Sequence, residues 1–241
     1  MSSYRDLKEI AWECNMQLPR LGLVLHTFGN ASVIDRARGV VAIKPSGLPY
    51  AELVAEDMVI VDLQNNPVEG KYRPSSDTKT HTLLYRNFAS IGGVVHTHSP
   101  YAVAWAQARR PVPILGTTHA DHLPCDIPCT GEMSDAMIAG DYEEETGKLI
   151  LERFKGLSYR ETPMVLVAGH GPFAWGETPE RAVYNCSMLE ELCRIATLTL
   201  EINPDAPRLK QTLIDKHYQR KHGPASYYGQ ENPDGKTGGK Q

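Results

Sequence analysis

The chain has 241 residues, enough for one large domain or two small ones. Its 41% hydrophobic and 22% charged residues are an ordinary globular balance. A net charge of −4 argues against a general nucleic-acid binder, because phosphate backbones demand a basic surface. No apolar run approaches the roughly 18 residues that span a bilayer, and the polar start Met1-Ser2-Ser3-Tyr4-Arg5-Asp6 lacks a signal core, so the expected location is the cytoplasm.

In chain order, the first expected element is a helix over residues 4–18. Leu7, Ile10, Ala11, Cys14 and Leu18 form its apolar stripe, and Pro19 stops it. Short β-like runs follow at 23–25, 40–43 and 58–63. Each is followed by turn residues: Gly29-Asn30, then Pro45-Ser46-Gly47, then Asn65-Asn66-Pro67. A helix begins near Ser76 and turns Leu83, Leu84 and Phe88 inward. Residues 91–97 read as a buried strand, followed by a short helix carrying Tyr101, Ala102, Ala104, Trp105 and Ala106. Residues 164–168 read as another buried strand. Thr178-Pro179-Glu180 opens the clearest helix, since threonine caps well and proline suits the first helical position. Mixed strands and helices without an internal repeat indicate one α/β domain over residues 1–230. The polar tail 231–241 reads as disordered. Five scattered cysteines, at 14, 125, 129, 186 and 193, complete neither a disulfide frame nor a zinc knuckle, and read as free, inert thiols.

The sharpest local signal is VVHTHS at 94–99. On a strand, His96 and His98 at i and i+2 point from one face, an arrangement suited to a first-row divalent metal. His170 ends the apolar run of MVLVAGHGPF between Gly169 and Gly171, which lets the backbone turn sharply there. Three histidines with an open fourth position are one arrangement of catalytic zinc. Asp77, at the start of a helix, is either a plain acid favouring the helix dipole or a carboxylate beside the metal.

Three short loops suit an anion: GNAS at 29–32, KPSG at 44–47 and PSSD at 74–77. Lys44 adds charge, and Ser75 and Ser76 lie where free helix N–H groups bind phosphate well. None of them matches a nucleotide-binding pattern.

Taken together, FGNASVID, IKPSG, PSSDTKTH, GGVVHTHS, GTTHAD, HGPFAWG and DKHYQRKHGPASYYGQ resemble the class II aldolase and L-ribulose-5-phosphate 4-epimerase family. The likeness runs from about residue 4 to Gln230 and is greatest to the epimerase branch, on GTTHAD and the C-terminal block. It implies a three-layer α/β/α sandwich assembled as a homotetramer with shared active sites. It implies Zn2+ at His96, His98 and His170, with Asp77 at or near the metal. A phosphate pocket from Asn30, Lys44, Ser46, Gly47, Ser75 and Ser76 is implied as well. Asp121 and Tyr228 are implied as an acid/base pair lent by a neighbouring subunit, with Glu143 and His217 as supporting residues. In the aldolase branch a glutamate stands at the place of Asp77, so the shorter aspartate favours the epimerase.

The chemistry that this likeness implies is breakage and re-formation of the C3–C4 bond of a phosphorylated ketopentose. The C4 proton is not adjacent to the carbonyl, so direct deprotonation is unfavourable. Cleavage instead places the developing charge on oxygens that a divalent cation stabilises. The rival expectations are a class II aldolase on a phosphorylated ketose, of the fuculose-1-phosphate type, and a non-catalytic adducin-like head domain. The second should lack the metal ligands.

Overall fold

A computed structural model describes residues 3–223. Tyr228 and the 231–241 tail lie outside the described residues. Seven strands form one sheet in the order β4-β3-β2-β1-β5-β7-β6, with every neighbouring pair antiparallel. They are β1 (Asn30–Asp35), β2 (Val40–Ile43), β3 (Val59–Asp62), β4 (Pro67–Glu69), β5 (Gly93–His96), β6 (Met164–Val167) and β7 (Gly171–Gly176). The principal helices are α1 (Arg5–Arg20), α2 (Thr78–Asn87), α3 (Pro100–Gln107), α6 (Tyr142–Arg153), α7 (Pro179–Ile202) and α8 (Gln211–His222). Two short ones, α4 (Thr117–Ala120) and α5 (Asp135–Ala139), lie between α3 and α6.

Side-chain alternation along the strands divides the core into two apolar layers. Val95, Ala174, Met164 and Leu166 face one side, where they meet Cys14 and Leu18 of α1, Ala102 of α3, and Val183, Leu189 and Cys193 of α7. Their strand neighbours Val94, Phe173, Trp175, Val165 and Val167 face the other side, against Leu84, Tyr85 and Phe88 beside Ile150 and Phe154. Helices on both faces of one sheet make the expected three-layer α/β/α sandwich. All five cysteines are free, and four of them are buried. No helix among the described residues is long and apolar enough to cross a membrane.

Three local expectations need correction, and one buried strand has no counterpart among them. Pro19 does not stop α1 but sits in its last turn, where its missing N–H costs one bond and only Arg20 follows. The β-like run at 23–25 is not a strand. Gly22 takes a left-handed φ of +69°, its N–H bonds to Pro19 O, and the Leu23 N–H reaches back to Leu18 O. That pattern is a Schellman cap, so these residues close a helix. Three of the four residues of the GNAS loop are strand, because Asn30 already begins β1. GPFAWG, whose glycines and proline disguise it, is the wholly buried β7. By contrast, Thr178 caps α7 as expected, its hydroxyl accepting the Arg181 N–H at 3.2 Å.

The sheet register sets the site. Asn30 pairs with His96 across β1 and β5, and His96 pairs with Phe173 across β5 and β7. One edge of the molecule therefore collects the start of β1, the end of β2, the end of β5 and the start of β7.

Candidate active site

That edge encloses a cavity of about 370 Å³, lined by residues from six separate chain segments. Among the residues singled out in the sequence, Asn30, Lys44, Ser46, Gly47, Ser75, Ser76, Asp77, His96, His98, Glu143 and His170 all line it.

The three imidazoles converge although each is held differently. His96 ends β5, is 2% exposed and stacks on Phe173 at 4.2 Å between ring centroids. Its Nδ1 lies 2.9 Å from the Pro172 carbonyl, which can only accept, so Nδ1 carries a proton and Nε2 is the nitrogen turned to the cluster. β5 stops at His96, yet the His98 Nε2 still comes to 3.1 Å from the His96 Nε2, with Phe28 stacked parallel behind the His98 ring. His170 occupies the tight turn between β6 and β7, where Gly169 takes a φ of +71°. A Cβ on Gly171 would come within 3.0 Å of the Thr97 carbonyl, so glycine there lets β7 close on the end of β5. One ligand nitrogen from each of the three rings lies within 4.8 Å of the others. Burial, with His96 adding to it, pushes His170 down to about 3 and lowers His98 as well, so both rings are neutral at pH 7. Zinc–nitrogen bonds of about 2.1 Å put tetrahedral ligand atoms about 3.4 Å apart, so small ring rotations seat a divalent ion. The residues present fit the metal.

Beside this cluster the two anion loops are fastened to each other. Ser75 N–H bonds to Lys44 O at 3.0 Å, and Ser46 N–H bonds to Arg73 O at 3.0 Å. Lys44 is 1% exposed, and its ammonium lies over the Tyr50 ring at 4.8 Å. Its nearest acceptors are the Thr27 and Pro45 carbonyls at 3.4 Å, and no carboxylate among the described residues pairs with it. Burial alone lowers its pKa to about 8. A buried cation that faces a cavity, with no counter-ion among the described residues, is suited to an anion.

Asp77 is the N-cap residue of α2, but its side chain caps no backbone N–H. The carboxylate instead accepts from the Asn30 amide at 2.7 Å and from Ser75 Oγ at 3.4 Å. Burial works against its charge, yet the neighbouring His96 and His81 rings and the Asn30 amide hold its pKa below the usual carboxylate range. The compact ligand cluster contains the three histidines, with Asp77 on the adjoining wall.

Asp121 and His217 are not among the lining residues. Asp121 follows α4, where it accepts from His217 at 2.9 Å and from Arg220 at 2.8 Å. His119 and His122 also stay clear of the cavity wall. His119 is buried, and His122 bonds to Thr118 O and Tyr184 OH.

Two residues to which the sequence patterns assign no role stand out, one behind the site and one in its wall. His81 is fully buried, with Nδ1 2.7 Å from Ser32 Oγ and its edge against Phe173. The Asp77–His81 spacing of four on a helix was the available signal. Tyr142 stands at the cavity mouth beside His170, and nothing local in the sequence marks it.

The Class II Aldolase and Adducin N-terminal domain family model matches residues 9–197. The chain belongs to this family. Class II aldolases act on phosphorylated sugars with a divalent metal, commonly zinc. An L-fuculose 1-phosphate aldolase is 24% identical, with a TM-score of 0.75 over 91% of this chain and 97% of that one. The L-fuculose-1-phosphate aldolase of Thermus thermophilus is 25% identical, with a TM-score of 0.63 over 84% and 98%. YgbL from Klebsiella pneumoniae, provisionally described as an aldolase/epimerase/decarboxylase, is 23% identical, with a TM-score of 0.70 over 90% and 99%.

Proposed function

We propose that this chain is a zinc-dependent L-ribulose-5-phosphate 4-epimerase. The observation that carries the reading is one cavity holding both a three-imidazole cluster and a buried lysine without a counter-ion among the described residues. Metal and anion receptors side by side suit a sugar phosphate whose carbonyl end and phosphate end are both held. The choice of epimerase over aldolase is supported by Asp77 in place of glutamate and by the GTTHAD and C-terminal blocks.

His96, His98 and His170 hold the metal, with Asp77 at or beside it. When bound, the ion stabilises the negative charge that develops on the oxygens at C2 and C3. Lys44, Asn30, Ser46, Gly47, Ser75 and Ser76 hold the phosphate, and keep the two-carbon aldehyde fragment from leaving after C3–C4 breaks. A base takes the proton of the C4 hydroxyl as that bond opens, and its electron pair passes to C3. The aldehyde turns over, C3 attacks its other face, and an acid on that side returns a proton to the oxygen. Asp121 and Tyr228 are the proposed pair, contributed by a neighbouring subunit of a tetramer, with Glu143 and His217 in support. An Asp121 that does not line its own chain's cavity is what such sharing requires.

The test is a coupled assay on L-ribulose 5-phosphate that follows D-xylulose 5-phosphate. Turnover that stops with a chelator and returns with zinc supports the reading. Release of free aldehyde from a ketose 1-phosphate, without any xylulose product, moves the chain to the aldolase branch. That second reading draws on the fuculose-phosphate aldolases that share the fold.

A further inference from the structure

We infer that Tyr142 is a positioning residue for His170, its phenol oxygen accepting the His170 Nδ1–H so that Nε2 faces the metal position. The inference rests on the metal reading above, and concerns how the third imidazole is oriented.

His170 is the ligand least constrained by the core. His96 is fixed by a main-chain carbonyl and by Phe173, and His98 is backed by Phe28. His170 sits in a turn, with its backbone N–H on Val167 O and only ring edges against His96, His98 and Phe173. The Tyr142 hydroxyl lies 3.4 Å from the His170 Nδ1, with the ring centroids 5.9 Å apart. A ligating histidine usually gives its other ring N–H to an oxygen, which sets both tautomer and ring angle. For His170, Tyr142 supplies that oxygen.

The tyrosine is itself anchored. It is the first residue of α6, whose N-cap Asp141 accepts the Glu144 N–H and pairs with Lys79 of α2. Thr80 Oγ1 of α2 donates to Glu143 O at 2.6 Å, and Thr146 Oγ1 donates to Tyr142 O at 2.9 Å. The helix that begins beside Asp77 thus also holds the residue that orients His170. The Tyr142 side chain is part-exposed and packs into no core cluster, so phenylalanine fits the same space.

The experiment titrates zinc into full-length protein against a chromogenic chelator, for wild type, Tyr142→Phe, His170→Asn and the double variant. Cobalt(II) absorption reports the ligand geometry. Tyr142→Phe is expected to weaken zinc binding about 10- to 100-fold and to alter the cobalt spectrum. The melting temperature of the metal-free protein should not move. In the His170→Asn background the same change should have no further effect. Zinc affinity within twofold of wild type, a loss matched by a lower metal-free melting temperature, or full additivity with His170→Asn each overturns the role of Tyr142. A wild-type protein that binds no zinc overturns the metal reading itself.

Discussion

The cavity at the strand ends and the cluster around Asp121 are both rich in charge, but they treat it oppositely. In the cavity, Lys44 is buried without a carboxylate partner among the described residues, and three imidazoles turn one nitrogen each towards one another. Between α4 and α8, Asp121 is met by His217, Arg220 and Lys221, while His222 reaches its backbone carbonyl at 3.0 Å. The first arrangement costs stability until a ligand arrives, and the second is already compensated. Unpaired buried polarity is therefore the better guide to where a small molecule binds. Compensated charge marks a group that is held in place, whether for packing or for use elsewhere.

The largest expected effect comes from the uncompensated region. His96→Asn should strip the metal and lower turnover by at least about 1000-fold, since Lewis-acid stabilisation is worth several kcal/mol. Metal analysis of the desalted variant beside the coupled assay checks this, and full activity without bound metal would break the contrast.

Lys44→Met comes next. Loss of a charged hydrogen bond of about 1.5–3 kcal/mol should weaken sugar-phosphate binding roughly 10- to 100-fold. Stability in urea should nevertheless rise, because an unpaired buried ammonium is removed. The pH dependence has a definite sign. The folded-state pKa of about 8 lies below the unfolded value, so the burial penalty is fully present below about 8 and fades as the pH rises towards the unfolded value. Phosphate affinity should run the other way, strong below about 8 and weaker above it as the ammonium deprotonates, as calorimetry with inorganic phosphate would show.

For the compensated region, Asp121→Asn should lower stability by on the order of 1 kcal/mol, with urea unfolding as the measure. Burial raises the Asp121 pKa, but Arg220 and His217, with Lys221, more than offset it and leave it below the usual value. Its contribution should accordingly be present at neutral pH and vanish as the pH falls through the folded-state pKa. A neutral effect on stability with a large loss of activity would assign Asp121 wholly to catalysis.

The smallest effect belongs to neither region. Thr178→Ala should cost about 1 kcal/mol of stability through the lost α7 cap and leave the KM unchanged.

Much of this was readable before folding. His96, His98 and His170 stand out because imidazoles at the ends of apolar strands are unusual. KPSG and PSSD stand out because hydroxyls and glycine cluster beside a helix start. Hydrophobic periodicity marked β2, β3, β5, β6 and α7. It missed β1, β4, α6 and α8 as well as β7, where two glycines and a proline mask a buried strand, and it misread the cap of α1 as a strand.

Residue chemistry and order along the chain determined the candidates: three imidazoles suited to a metal, loops suited to an anion and an α/β core. Only the tertiary structure decided which of these meet. The pairing of Asn30 with His96 and of His96 with Phe173 is a matter of strand register, and the joining of Lys44 to Ser75 is a backbone hydrogen bond between segments far apart in the chain. Tyr142 reaches His170 because α6 docks on α2, and Asp121 is drawn to α8 and away from the cavity. Such contacts depend on long-range packing, which local propensity does not encode.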